Sequence, residues 1–375
     1  MQALLGDAPS RARLKQLLIA RSGGNPFFLE ESVRTLVETG VLMGAPGAYR
    51  LVRPLEGLQV PATVQAVLAA RIDRLPPEAK RLLQTAAVIG TDISFALLRT
   101  IADLPEDTLH QSLAHLQAAE FLYETHLFPS LEYTFKHALT HEVAYGSLLL
   151  ERRRVLHARL VEALEALAPE RGAEQVERLA HHALRGELWD KAVPYCQQAG
   201  ARAYDRAAFR EAVTAFEQAL QALAHLPEDG ETRVLAIDLR CTLGGALHQL
   251  GEYGRRLALL GEAEALARAL DDRTWLGRVL AGRANVLRTM GDLDGALAAG
   301  RQALALTVEL GDRLLQGRAS HNLGQVYYAS GDFGRAAELL RWTIEAVDGE
   351  SGTPSPAVRL QSRAWLAWTV RDIRE

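Results

Sequence analysis

Lysine is scarce in this chain. Four occur (Lys15, Lys80, Lys136, Lys191) among 42 basic side chains, and none of them follows a glycine. That excludes a P-loop, G-x4-G-K-[ST], in which backbone N–H groups cradle the phosphates and the lysine neutralises their charge. Cysteine is limited to Cys196 and Cys241, without CxxC spacing. A disulfide scaffold is excluded and a reducing cytoplasm fits. No apolar run reaches the roughly 18 residues of a membrane span. The N-terminus carries Asp7 and lacks the charged-then-apolar order of a secretion signal. No G-x-S-x-G elbow is present, so no hydrolase triad is assigned. The net charge of −4 is too small for a general polyanion binder. Arginine supplies nearly all the basic charge, and with the abundant Ala and Leu this is the composition of a GC-rich bacterial genome. A soluble cytoplasmic protein is expected. With 375 residues, 48% of them hydrophobic, it is long enough for several domains.

What is present is a repeat. Gly251-Glu252-Tyr253, Gly291-Asp292-Leu293 and Gly331-Asp332-Phe333 recur at a 40-residue period, and Asp272 and Asp312 close equivalent helices at the same spacing. Two amphipathic stretches per unit at such a period predict helical hairpins that bury their apolar faces only by stacking. The surface left by such a stack usually binds proteins. Gly324, Tyr327, Ala336 and Leu340 alternate small and large residues as a tetratricopeptide hairpin requires. Arg256 stands where the neighbouring units have Ala296 and Ala336, an anomaly in that unit's packing.

Three domains are expected in a mainly α chain. Residues 1–58 read as a helical subdomain: a helix, a Gly-Gly-Asn-Pro break, a second helix from Phe27, and a hairpin of Val41–Met43 with Tyr49–Leu51. Residues 59–168 read as helices at 78–89, 94–102 and 106–119, then strands at Phe121–Thr125 and Tyr133–Phe135. Three helices before a two-stranded wing is the winged-helix order. A long helix from about Thr140 follows. Residues 173–375 read as an α-solenoid, with irregular hairpins turning at Gly186–Leu188 and near Ala207–Phe209 before the regular units. Ser362–Glu375, with Trp365, Leu366 and Trp368 on its apolar side, reads as the first helix of a hairpin whose second is missing. A fragment of a longer chain is expected, with self-association through this uncovered end.

Ser22-Gly23-Gly24-Asn25-Pro26-Phe27-Phe28-Leu29-Glu30-Glu31 resembles the lid-subdomain signature of bacterial signal-transduction ATPases with numerous domains. So do Val60–Gln65, Ala70–Pro76 and Phe135–Leu139. The resemblance implies a lid remnant, a winged helix and a tetratricopeptide solenoid cut from a protein whose ATPase core lies outside this chain. It implies a regulatory tail either of an adenylate or guanylate cyclase or of a LuxR-type transcription regulator. In that family the turn corresponding to Gly24, Asn25 and Pro26 packs against adenine; the same residues would serve equally to start the helix at Phe27. ATP or ADP and Mg²⁺ are expected only in an intact parent, and no cofactor, catalytic residue or metal is assigned to this chain. The run Val234–Asp238 mimics a Walker B strand but falls in a repeat helix.

For the solenoid, a partner-binding face is expected along Arg278, Asn285, Arg288, Arg318, His321, Gln325 and Tyr328. Arg278 and Arg318 are equivalent positions 40 apart, and guanidinium groups so placed suit carboxylates. A protein or peptide partner is expected, an acidic one by this charge, although an ordinary solvated face would use the same residues. Nucleic acid is not expected, because helix 106–119 has no Arg or Lys for phosphate contact. His137 and His141 share a helical face, but the H-E-x-x-H pattern fails at Tyr145.

Overall fold

The computed structural model describes Leu5 and residues 12–53, 61–126, 131–167, 175–348 and 356–374. The chain forms two compact units, Met1–Gly172 and Ala173–Glu375. The fold is mainly helical.

In the first unit, α1 (Ala12–Ser22) and α2 (Pro26–Glu38) precede a hairpin of β1 (Leu42–Met43) and β2 (Arg50–Leu51). Leu14 and Leu18 of α1 meet Leu29, Val33 and Leu36 of α2, the i, i+4, i+7 stripe of an amphipathic helix. Helix α2 starts where the sequence predicts. The Asn25 side chain accepts the Phe28 N–H at 3.2 Å, and Pro26 occupies the first helical position, where its missing N–H costs nothing.

Helices α3 (Val64–Asp73) and α4 (Pro77–Ile89) follow, then β3 (Asp92–Ser94), α5 (Phe95–Ala102), α6 (Glu106–Ala118), β4 (Leu122–His126) and β5 (Glu132–Phe135). The three strands form one antiparallel sheet in the order β3-β5-β4. Strand β3 is an addition to the two strands expected. The expected division at 58/59 lies outside the described residues, and the segments on either side of it belong to one compact unit. Arg71 of α3, 2% exposed, ties them. It donates to Glu38 at 2.6 and 2.9 Å, to Glu31, and to the Ala119 carbonyl at 2.8 Å, with its guanidinium 4.6 Å from the Phe121 ring. Burial alone would lower the Arg71 pKa. The hydrogen bond to Glu38 and the charges of Glu31 and Glu38 outweigh that and raise it. A buried cation so completely paired is costly to disturb, on the order of 3–5 kcal/mol if one partner is removed.

The long helix expected from Thr140 is instead two, α7 (Ala138–Gly146) and α8 (Leu150–Leu167). Ser147 causes the break. Its hydroxyl donates to the Ala144 carbonyl at 2.7 Å and accepts from Gln84 at 2.9 Å, giving the backbone an alternative to continued helix.

The second unit is all helical among its described residues: α9 (Val176–Arg185), α10 (Trp189–Asp205), α11 (Phe209–Leu223), α12 (Gly230–Gln249), α13 (Tyr253–Ala269), α14 (Arg273–Met290), α15 (Leu293–Leu310), α16 (Arg313–Ala329), α17 (Phe333–Asp348) and α18 (Pro356–Arg374). The regular hairpins α12/α13, α14/α15 and α16/α17 turn at Gly251, Gly291 and Gly331, whose φ values of 76°, 88° and 83° demand glycine. Asp272 and Asp312 do not close helices. They open α14 and α16, accepting the N–H of Trp275 at 3.0 Å and of Leu315 at 2.9 Å, because a carboxylate suits the positive end of a helix. The run Val234–Asp238 lies inside α12.

Candidate functional site: an arginine-lined cavity between repeat helices

The first helices of successive hairpins lie side by side, so α14 packs on α16 and α16 on α18. A cavity of about 300 Å³ opens between them. Helix α14 contributes Arg278 and Asn285; α16 contributes Arg318, His321, Asn322 and Gln325; α18 contributes Gln361. Arg256 enters from α13. Five residues expected on the partner-binding face therefore line one cavity: Arg278, Asn285, Arg318, His321 and Gln325. The positions 278/318 and 285/325 are repeat equivalents seven residues apart, so each pair occupies the same helical face.

Arg288 and Tyr328 share that face but not the cavity. Helix α18 covers them. Arg288 lies 5.7 Å from the centre of the Trp365 ring, Tyr328 is edge-on to Trp365 at 5.3 Å, and the Tyr328 hydroxyl donates to Asp372 at 2.6 Å. Tyr328, expected on the partner-binding face, is instead engaged by helix α18. Trp365 and Leu366 are correspondingly half-buried rather than uncovered; Trp368 is 48% exposed and lies against Trp365.

Sequence reasoning left Arg256, Asn322 and Gln361 off this face, and Arg256 is the charged one among them. The two later units carry alanine at its position. Here Gly244 of α12 stands where they have Ala284 and Gly324, and a Cβ at 244 would lie 3.3 Å from Arg256 Cγ. Glycine thus makes room for the arginine stem. Arg256 Nη1 donates to His248 Nδ1 at 2.8 Å and to Asn285 Oδ1 at 2.9 Å, both neutral acceptors, and its Nε is buried without a partner. The signal was legible as an anomaly in the repeat.

The electrostatics of the cavity are one-sided. None of Arg256, Arg278 or Arg318 has a carboxylate within salt-bridge distance among the described residues, although arginines elsewhere in the repeats do, as Arg283 does with Glu264 and Arg240 with Glu262 at 2.8 Å. Desolvation lowers the pKa of Arg256, and desolvation with the nearby charge of Arg278 lowers that of Arg318. His321 is buried. Its Nε2 faces the Gln325 amide nitrogen at 2.6 Å and its Nδ1 the Ser362 hydroxyl at 2.8 Å, an arrangement that places the proton on Nδ1. Burial, with the charge of Arg288, pushes its pKa down to about 4, so it is a neutral wall at pH 7. Burial also holds Cys196 and Cys241 up at about 11, which makes both inert as nucleophiles.

Gly24, Asn25 and Pro26 form an exposed capping turn. His137 packs its ring against Phe27 at 4.1 Å, while His141 Nε2 meets the Ala87 carbonyl at 2.9 Å. Among the described residues no group of three or more His, Cys, Asp or Glu side chains gathers around a point. No described helix is long and apolar enough to cross a membrane.

The tetratricopeptide repeat family model matches residues 276–348, the stretch that carries most of the cavity. The uncharacterized protein R02095 of Rhizobium meliloti (strain 1021) is 29% identical over 241 residues, 63% of this chain. The chain's match spans 23% of that relative's length. Among solved structures, BtubC (BKLC) from P. vanneervenii is 17% identical, with 60% of this chain and 84% of that chain covered and a TM-score of 0.43. A signal-transduction ATPase with numerous domains carrying a tetratricopeptide repeat sensor, PH0952 from Pyrococcus horikoshii, is 12% identical over 96% of this chain and 60% of its own, with a TM-score of 0.36. YrrB, a tetratricopeptide protein with an unusual peptide-binding site, is 20% identical over 56% and 92%, with a TM-score of 0.35. Residues 276–348 thus match the tetratricopeptide repeat, a protein-interaction architecture.

Proposed function

We propose that the α14/α16 groove receives an acidic segment of a partner protein, and that the chain is a non-catalytic, cytoplasmic regulatory portion of a larger signal-transduction ATPase. One observation carries the first half. Arg256, Arg278 and Arg318 line a single cavity with no carboxylate to balance them among the described residues. Like charges gathered in one place repel each other, and an anion that arrives among them relieves that repulsion. Asn285, Asn322 and Gln361 add polar groups beside the cations, a lining suited to carboxylates on an extended chain.

The ATPase context rests on the motif blocks around Gly24-Asn25-Pro26, Val60–Gln65, Ala70–Pro76 and Phe135–Leu139. The order of helices α4 to α6 with strands β3 to β5 supports reading residues 77–135 as a winged helix. Helix α6 carries Glu106 and Asp107 in its first turn and no Arg or Lys. That favours a role in domain packing over one in reading DNA.

Selection from a random peptide display library tests the groove. The wild-type chain should enrich Asp- and Glu-rich peptides. The pair Arg278→Glu with Arg318→Glu should weaken the selected peptides at least about 100-fold, since each charged hydrogen bond is worth roughly 1.5–3 kcal/mol, while the helical circular dichroism stays unchanged. Selection of peptides without acidic bias, or equal binding by the folded double variant, would overturn the reading.

A further inference from the structure

The cavity has a charge that a row of carboxylates does not require. Three guanidinium groups reach one space of about 300 Å³, and two of them come from adjacent repeats at equivalent positions. A carboxylate presents two oxygens in one plane and is satisfied by a single bidentate guanidinium. A phosphoryl dianion presents three oxygens in a pyramid, carries nearly twice the charge at neutral pH, and can hold several guanidiniums at once. The polar groups around the cavity point the same way. Arg256 Nε is a buried donor with no acceptor. Asn285 uses its Oδ1 to hold Arg256, which leaves its amide N–H groups as donors. His321, fixed between Gln325 and Ser362, adds bulk but no negative charge.

We propose that this cavity is a receptor for one phosphoryl group carried on a side chain of the partner segment. This rests on the acidic-groove reading and sharpens it. Arg256 is half-buried and offers its guanidinium to a phosphoryl oxygen. Arg278 and Arg318 are exposed at the mouth and close on the remaining oxygens. Because that mouth is open, only one end of a ligand is enclosed, as for a modified side chain entering from a peptide that lies along the groove. The interaction is non-covalent, and no bond to phosphorus forms or breaks. Phosphorylation of the partner would then switch binding on by supplying the charge that the cavity lacks.

Two measurements on the full chain test it. In the first, inorganic phosphate and acetate are titrated at pH 7.5 while the arginine side-chain Nε–H signals are followed by NMR. Phosphate should shift the Arg256 signal, identified by its loss in Arg256→Gln, and acetate at equal concentration should not. In the second, fluorescent nonapeptide pools with phosphoserine, glutamate or serine fixed at the centre of random flanks are compared by anisotropy. Phosphoserine should bind at least tenfold more tightly than glutamate. That advantage should vanish in Arg318→Gln and persist in Arg273→Gln, an arginine paired with Glu309 away from the cavity. Equal binding of the phosphoserine and glutamate pools, with both dependent on Arg318, overturns the phosphoryl receptor and leaves the acidic groove standing. If no anionic pool binds better than the serine pool and phosphate moves no signal, both fall. Phosphate binding with no peptide preference overturns the partner-borne source, because the site then serves a free phosphorylated molecule.

Discussion

At position 256 the repeat carries an arginine where the next two units carry Ala296 and Ala336, and the substitution is matched across the hairpin by Gly244. Glycine inside a helix ordinarily costs about 0.5–1 kcal/mol relative to alanine, so Gly244→Ala alone should stabilise. With Arg256 present the new methyl meets the arginine stem at 3.3 Å, and the gain is cancelled. In an Arg256→Ala background the same change should recover its full value, about 0.5–1 kcal/mol. A double-mutant cycle by urea denaturation should therefore give a coupling of about 1 kcal/mol between the two positions. Additivity within about 0.3 kcal/mol would show that the glycine is not there for the arginine. Sequence alone exposed the anomaly at Arg256 but not its purpose, because the compensating residue lies on the neighbouring helix and becomes visible only once the hairpin is closed.

Helices pose a different problem of legibility. The spacing of Arg278, Asn285, Arg288, Arg318, His321, Gln325 and Tyr328 fixed which residues share a face, since helical geometry determines that directly. It carried no information about what covers the face, and α18 lies over the end that includes Arg288 and Tyr328. His321 reports on that docking. Its folded pKa of about 4 lies below the ordinary value of 6.5. The unfolded chain therefore binds more protons between those two values. Stability from this group is complete above pH 6.5 and falls as the pH drops towards 4, by about 3 kcal/mol in all. Below pH 4 the group adds no further slope. His321→Gln should remove this part of the pH dependence, so the difference in urea midpoint between variant and wild type should change steadily from pH 7 to pH 4.5. A constant difference across that range would mean that His321 titrates normally and does not fasten α18.

Over the whole molecule, the periodic parts were readable and the parts made by distant pairing were not. The hairpins announce themselves through glycines with positive φ at a 40-residue spacing. Strand β3 is three residues long and exists because Asp92–Ser94 pairs with Glu132–Thr134 some 40 residues away, which no local pattern encodes. The same contrast bears on nucleotide chemistry. The resemblance around Gly24-Asn25-Pro26 suggests an adenine contact, yet these residues form an exposed helix-capping turn, and the chain has no glycine followed by lysine. Most nucleotide affinity in P-loop proteins comes from backbone N–H groups, lysine and Mg²⁺ gripping the phosphates. The arginine cavity is no substitute, because it lies between helices with no glycine-rich backbone cradle, and a magnesium-bound triphosphate has part of its charge already neutralised. Mg-ATP should therefore show no turnover above a buffer blank. Adenosine, which probes the base contact alone, should give no measurable heat in calorimetry at millimolar concentration. Hydrolysis abolished by a change at Asn25, or adenosine binding at micromolar concentration, would place a working nucleotide site in this chain and remove the case for a purely regulatory role.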